Sequence, residues 1–454
     1  MSFQSINPVT GQLVETLPGW DAARIDGCLA RVATATPAWS SRTLEERGAL
    51  LQAVAGYLRS HRDRLAGLIT EEMGKLLAES RAEIDKCAWA CEYYAEHGPE
   101  FLADELIETD AGRSLVACQP LGTLLAVMPW NFPFWQVIRA AAPALMAGNT
   151  LVLKHAANVP RCALAIEEVF REAGLPEDAF RTLMIRSDQV ASVIDDPRVH
   201  AVTLTGSEAA GRAVAAAAGR NLKKSVLELG GSDPFVVLED ADLDQAVAQA
   251  VKSRFLNAGQ SCIAAKRFIV VDAVADAFVE AFKAAVEALR VGDPAREDTD
   301  IAPLARADLR EALHAQVTDA LDRGAEAVTG CRRIKGAGFF YRPSILAGVT
   351  AEMRAYREEL FGPVATVLRV PDEQEALRLA NDNPYGLGGS VWTADVQRGE
   401  TFARAMQCGS AFVNGMVKSD PRLPFGGIKA SGYGRELSRP GIREFVNAKT
   451  IWIK

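Results

Sequence analysis

The sequence predicts an α/β protein: a helical N-terminal segment, then two stretches in which short apolar runs alternate with helices. Three observations carry this. Apolar residues recur at three- and four-residue spacing through Leu50, Leu51, Val54, Leu58, Leu65, Leu68 and Ile69, so residues 20–100 read as helices with one buried face. From about residue 115 the pattern changes to short apolar runs separated by helical ones, which predicts a parallel sheet with helices on its faces. The alternation resumes after Pro234 and predicts a second α/β unit reaching about residue 420.

The first stretch reads in order as a strand over 124–128, a helix over 134–147 and a strand over 150–154. A helix over 160–173 starts on a proline and is stopped by Gly174 and Pro176. Then come a strand at 181–185, a helix at 188–194, a strand at 201–204, a helix at 208–218 and a strand at 225–229. The tail ends in a strand-like run at 450–453, which needs a partner in the same chain or in a neighbouring subunit.

Composition narrows the function classes. The 454 residues are 49% hydrophobic and 24% charged, a globular balance. A net charge of -8 argues against nucleic acid and anionic membrane as partners. The opening MSFQSINPVTGQ has no charged and apolar leader pattern, and no run of about 18 apolar residues appears, so neither a signal peptide nor a membrane span is expected. Eight cysteines at 28, 87, 91, 118, 162, 262, 331 and 408 form no disulfide framework or zinc cluster. These features lead us to expect a cytoplasmic protein. The five histidines (61, 97, 155, 200 and 314) make no metal pattern, and no metal is expected.

Four segments place polar residues inside apolar or glycine-rich runs. In Met128-Pro129-Trp130-Asn131-Phe132-Pro133, Asn131 is either a structural turn residue or an amide donor to an oxyanion. In Leu204-Thr205-Gly206-Ser207-Glu208, a strand turns into a helix whose free N–H groups suit a phosphate; Ser207 as an ordinary helix cap is the equal alternative. In Leu227-Glu228-Leu229-Gly230-Gly231, Glu228 either faces solvent or is a carboxylate in a partly dry cleft, its pKa raised toward that of a general base. In Asn257-Ala258-Gly259-Gln260-Ser261-Cys262, Cys262 is either an inert core thiol or an activated thiolate in a loop.

Taken in order, with Lys154 at a strand end, Glu228 34 residues before Cys262, then Glu358-Glu359-Leu360-Phe361-Gly362-Pro363 and Pro424-Phe425-Gly426-Gly427, the set resembles the aldehyde dehydrogenase superfamily over nearly the whole chain. The resemblance implies that fold: a Rossmann-like NAD(P)-binding domain (1–101 and 121–230), a catalytic domain with the nucleophilic cysteine (231–425), and a small β oligomerisation element (102–120 and 426–454). It implies Cys262 as nucleophile, Asn131 with the Cys262 backbone N–H as oxyanion hole, and Glu228 as the base that activates water. It also implies a cofactor set of Trp130, Lys154, Gly206, Ser207, Leu229, Glu359 and Phe361, and a homodimer or homotetramer.

One departure bears on cofactor choice. NAD-specific relatives often carry a glutamate three residues after the strand-end lysine; here Ala157 stands there, which removes the repulsion against a 2′-phosphate. NADP is expected as the preferred cofactor, with NAD possible. For the substrate, Arg139 lies eight residues after Asn131 in the otherwise apolar Val137-Ile138-Arg139-Ala140-Ala141, can share a helix face with Trp135, and wants an anion. The runs around Asn131, Lys154, Glu228 and Ser419 resemble bacterial succinate-semialdehyde dehydrogenases. That implies a small aldehyde with a distal carboxylate, held by Trp135, Arg139, Ser261 and Ser419. The alternatives are the same chemistry on glutarate semialdehyde or an aromatic aldehyde, and a non-redox cysteine hydrolase or acyltransferase.

Overall fold

The computed structural model describes residues 2–454. Four helices, Ala22–Ser40, Leu44–Ser60, Arg62–Met73 and Leu77–Phe101, occupy the segment with helical apolar spacing. The first two starts are capped by side chains: Asp21 accepts from Arg24 N–H, and Thr43 with Glu46 forms a reciprocal capping box. Ahead of them lies an antiparallel hairpin, Ser2–Ile6 with Leu13–Pro18, which the sequence does not predict. Its second strand is exposed along almost its whole length, so it lacks the alternation that would reveal it.

Residues 123–228 supply five parallel strands of a six-stranded sheet. Thr123–Val127 lies in the middle. The chain runs outward on one side through Thr150–Lys154 and Phe180–Thr182, then returns to the other through Val199–Thr205 and Lys224–Glu228. Such a reversal of strand order opens a crevice at the carboxyl ends of the strands, where open α/β sheets bind ligands. The strands and helices match the predicted periods to within about two residues, with one exception. Only Phe180–Thr182 pairs in the run expected to reach 185, because Ile185 N–H turns back to Leu183 O at 2.8 Å and ends the ladder. The helix expected at 188–194 is split into a 3₁₀ turn, Ser187–Gln189, and a short helix, Val190–Asp195.

A second, seven-stranded sheet takes residues from Asp233 to Val413, all parallel except the edge strand Glu326–Thr329. Phe235 anchors its core, stacked on Trp392 at 5.1 Å and tilted against Phe268 at 5.2 Å. The terminal strand, Val446–Ile453, finds its partner in the same chain: it pairs antiparallel with Arg113–Pro120. Glu105–Leu106 completes that three-stranded sheet. The segment from 426 onward is shared among three sheets, because Ile428–Lys429 pairs with Tyr385–Gly386 and Gly432–Tyr433 with Lys224–Glu228. Among the described residues, no helix is long and apolar enough to cross a membrane.

Candidate active site

The turn from Met128 to Pro133 leaves the carboxyl end of the central strand and feeds the helix Trp135–Met146. Glu83, from the helix Leu77–Phe101, receives the N–H groups of Phe134 and Trp135 at 2.9 and 3.0 Å. A carboxylate at a helix N-terminus satisfies orphan donors and complements the helix dipole. Lys75 pairs with Glu83 and lies 3.6 Å from the centre of the Phe132 ring. His155 braces the other side: Ala156 N–H donates to its Nδ1, so Nε2 carries the proton and donates to Pro133 O at 2.9 Å. Burial holds its pKa down at about 4, so the ring stays neutral.

Asn131, buried in this turn, is tied to the segment that carries Cys262. Its amide donates to Gln260 O at 3.0 Å, and Asn257 donates to its backbone carbonyl at 2.8 Å. That segment enters from the helix Leu243–Phe255 through three left-handed residues, Asn257, Ala258 and Gly259, with φ of 54, 52 and 73°. A non-glycine residue pays about 1–2 kcal/mol for this conformation. Buried Arg254 holds it in place, donating to Gly259 O and Gly362 O, both at 2.7 Å, and to Ala265 O at 3.1 Å. At Gly259 itself a Cβ would meet Gly362 O at 2.4 Å, so glycine is required there. Beyond the turn, Lys266 donates to Ser261 O at 2.8 Å and Cys262 O at 2.7 Å.

Burial pushes the Cys262 thiol up to about 12; Lys266 opposes this and Glu359 adds to it. Two cations lie near enough to lower the pKa, but desolvation outweighs them.

Cys262 and Gln136 are common to two cavities. The first, about 430 Å³, opens at the carboxyl ends of the six-stranded sheet. It brings together Trp130, Asn131, Lys154, Gly206, Ser207 and Leu229 with Glu359 and Phe361 from the second sheet's side. Lys154 is buried at its strand end, and burial alone lowers its pKa, with no carboxylate opposing it. Gly206 and Ser207 precede the helix Glu208–Arg220, and Ser207 Oγ accepts from Ala210 N–H at 3.3 Å, so its hydroxyl does serve as the helix cap. Gly211 lets that helix close on the sheet, since a Cβ there would meet the Leu229 side chain at 2.5 Å. Glu359 accepts from Gly231 N–H at 3.2 Å and pairs with Lys266 at 3.0 Å. Phe361 stands edge-on to Trp130 at 5.7 Å. Ala157 sits exposed in the turn after Lys154 and does not line the cavity, whereas Ala156 does. An unpaired buried ammonium, a helix N-terminus and a carboxylate around one cleft fit a nicotinamide dinucleotide.

The second cavity, about 220 Å³, lies on the other side of Cys262 and contains all four predicted substrate residues, Trp135, Arg139, Ser261 and Ser419. Arg139 is also engaged within the protein: its Nε is paired with buried Glu436, its Nη2 donates to Thr205 Oγ1 at 3.2 Å, and the guanidinium lies 4.8 Å from the centre of the Phe425 ring. Its Nη1 makes no hydrogen bond among the described residues, so Arg139 keeps N–H groups to offer in the cavity it lines. Its partner Glu436 comes from 297 positions further along the chain. The sequence missed Lys86, which also lines this cavity, donates to Ser419 Oγ at 2.6 Å and lies 4.2 Å from the centre of the Trp135 ring. No local signal marks it, because a lysine in a helix rich in Asp and Glu reads as solvated.

Glu228 ends its strand 2% exposed, which excludes the solvent-facing alternative. Neither carboxylate oxygen has a hydrogen-bond partner among the described residues. Burial and then the nearby Glu436 carboxylate raise its pKa well above the usual range, while Arg139 and Arg435 oppose the rise. Glu228 lines neither cavity and packs against Gly426.

A half-buried cysteine in a braced loop, between a sheet-end cleft and an apolar cavity, is the arrangement of a nucleophilic enzyme with room for a dinucleotide. The model of the aldehyde dehydrogenase family matches residues 1–451, and the chain belongs to that family. It is 51% identical over 453 residues to a probable NADP(+) succinate-semialdehyde dehydrogenase of Synechocystis, covering 100% of both chains. It is 47% identical to an NAD(P)+ succinate semialdehyde dehydrogenase of Escherichia coli, covering 99% of this chain and 97% of the relative. Among solved structures, a succinic semialdehyde dehydrogenase of Streptococcus pyogenes in complex with NADP+ superposes with a TM-score of 0.98 at 43% identity, covering 99% of each chain. An NAD-dependent aldehyde dehydrogenase of Sinorhizobium meliloti superposes with a TM-score of 0.97 at 33% identity, covering 100% of this chain and 91% of that one.

Proposed function

We propose that this chain oxidises succinate semialdehyde to succinate, with NADP preferred over NAD. The observation that carries the reading is the position of Cys262 between the dinucleotide-fitting cleft and the small cavity. The relatives named for succinate semialdehyde and NADP, at 43–51% identity, support the substrate and the cofactor. Lys154, with no carboxylate facing it, suits a 2′-phosphate, and Ala157 adds no negative charge nearby.

In this reading the Cys262 sulfur attacks the aldehyde carbon as its proton passes to water in the cavity. The second N–H of Asn131, whose first is held by Gln260 O, and the Cys262 backbone N–H receive the charge that builds on oxygen. Lys154, Gly206, Ser207, Leu229, Glu359, Phe361 and Trp130 hold the dinucleotide, which when bound supplies the hydride acceptor. Cys262 is then left as a thioester. Glu228 takes a proton from the water that hydrolyses it, which requires the carboxylate to ionise and turn from Gly426 toward Cys262. Raising its pKa suits it to that role, since a base is most effective with a pKa near the working pH.

The free edge of Val446–Ile453, with Trp452 and Ile453 about half exposed, supports assembly as a homodimer or homotetramer. The test of function is formation of reduced nicotinamide with succinate semialdehyde, glutarate semialdehyde and benzaldehyde, each with NADP and NAD. The expected result is the highest kcat/KM for succinate semialdehyde with NADP. A higher kcat/KM with NAD overturns the cofactor choice. Thioester hydrolysis with no reduced nicotinamide from any aldehyde overturns the dehydrogenase.

A further inference from the structure

We propose that Lys86 receives the distal carboxylate of the substrate together with Ser419, as a second cation beside Arg139. The inference rests on the carboxylate-bearing aldehyde proposed above.

Three cations line the cavity behind Cys262: Lys86, Arg139 and Lys418. Arg139 is paired with Glu436 through Nε and donates to Thr205 through Nη2. Lys418 is exposed. Lys86 is different. It projects from the helix Leu77–Phe101 on the face that also carries Glu79, Ala82 and Glu83, at spacings of seven, four and three residues, so these positions share one stripe along the cavity wall. Its ammonium lies over the Trp135 ring at 4.2 Å and donates to Ser419 Oγ at 2.6 Å. No carboxylate among the described residues lies within ion-pairing distance of it. An ammonium has three donors, and one goes to Ser419, so N–H groups remain for an incoming anion.

The energetics point the same way. Burial pulls the Lys86 pKa down to about 8, with Arg139 adding to the fall and Cys87, Glu83 and Asp420 opposing it weakly. Even half-buried, a cation without a counter-ion is costly, and a substrate carboxylate supplies the missing charge. Ser419 then fixes the geometry: its hydroxyl accepts from Lys86 and can donate its own proton to the same carboxylate. The Trp135 ring covers the other side, so the substrate tail is held between an aromatic face and an ion pair. Arg139 lines the same cavity and adds positive potential, with its Nε directed to Glu436 and its Nη2 to Thr205.

The experiment compares succinate semialdehyde with butanal, in which a methyl replaces the carboxylate, on the full-length wild type and on Lys86→Met. The expected result is a fall in kcat/KM of about 10–100-fold for the semialdehyde, carried by KM, with butanal nearly unchanged. Lys86→Arg should restore most of the preference. An equal fall on both aldehydes, or an unchanged semialdehyde KM, overturns the inference and leaves the proposed substrate standing. A wild type that does not prefer the semialdehyde to butanal overturns the substrate reading and the inference with it. If Lys86→Met fails to fold, Lys86→Gln, which keeps a donor to Ser419 and loses the charge, carries the same comparison.

Discussion

The two cavities that meet at Cys262 are built in opposite ways. The dinucleotide cleft is made at strand ends: Trp130, Lys154, Ser207 and Leu229 each follow a strand of one parallel sheet. Strand geometry places them there whatever else the chain does, so their positions depend on local sequence. The small cavity is made by the packing of distant pieces: Lys86 from an early helix, Arg139 from a crossover helix, Ser261 from a loop and Ser419 from near the C-terminus. What each side chain does there depends on which other side chain reaches it first. A recognition site built at strand ends is robust and general, while one built between packed elements can be retuned by a single partner such as Glu436.

Removing the cysteine that the two cavities share should have the largest effect. Cys262→Ala should lower dehydrogenase kcat by about 10⁴-fold or more while NADP titration by fluorescence still gives a Kd near that of the wild type. A parallel loss of dinucleotide binding would show that the cleft depends on the loop and is less independent than its strands suggest.

The packed side is next. Glu436→Ala leaves Arg139 buried and unpaired, and urea unfolding should show a loss of about 3–5 kcal/mol. Replacing both partners, as in Arg139→Met with Glu436→Leu, should recover a good part of that loss. If Glu436→Ala is neutral, Arg139 has another anion.

On the cleft side, Ala157→Glu puts a carboxylate in the turn after Lys154. It should lower kcat/KM for NADP by about 10–100-fold and spare NAD. Equal effects on both cofactors would place the 2′-phosphate elsewhere.

The smallest effect is a pH dependence that belongs to the packed cavity alone. Lys86 has its pKa lowered to about 8, so its charge is present below that pH and is lost as pH rises through it. The groups that face it are Glu83, Cys87, Arg139 and Asp420. KM for succinate semialdehyde should therefore rise about three- to tenfold between pH 7 and 9, with KM for butanal flat. The same rise for both aldehydes would assign the titration to Cys262 or Glu228.

Much of this was legible in the sequence, and the reason is periodicity. The strands around Asn131, Lys154, Gly206 and Glu228 are short apolar runs between helices, and each polar residue marks where a run ends. The N-terminal hairpin was not legible because Leu13–Pro18 is exposed and carries no alternation. The state of Cys262 was not legible either. Gly-Gln-Ser-Cys gives the loop, but whether the sulfur is thiol or thiolate depends on how dry its surroundings are.

The sequence by itself determined the family, the order of strands and helices and the residues at strand ends, because those follow from local pattern and chain direction. Only the tertiary structure decided that Arg139 pairs with Glu436, that Lys86 reaches Ser419 and that Glu228 rests turned toward Gly426. Each of these is a contest between charges far apart in the chain, settled by which pair is brought together out of water.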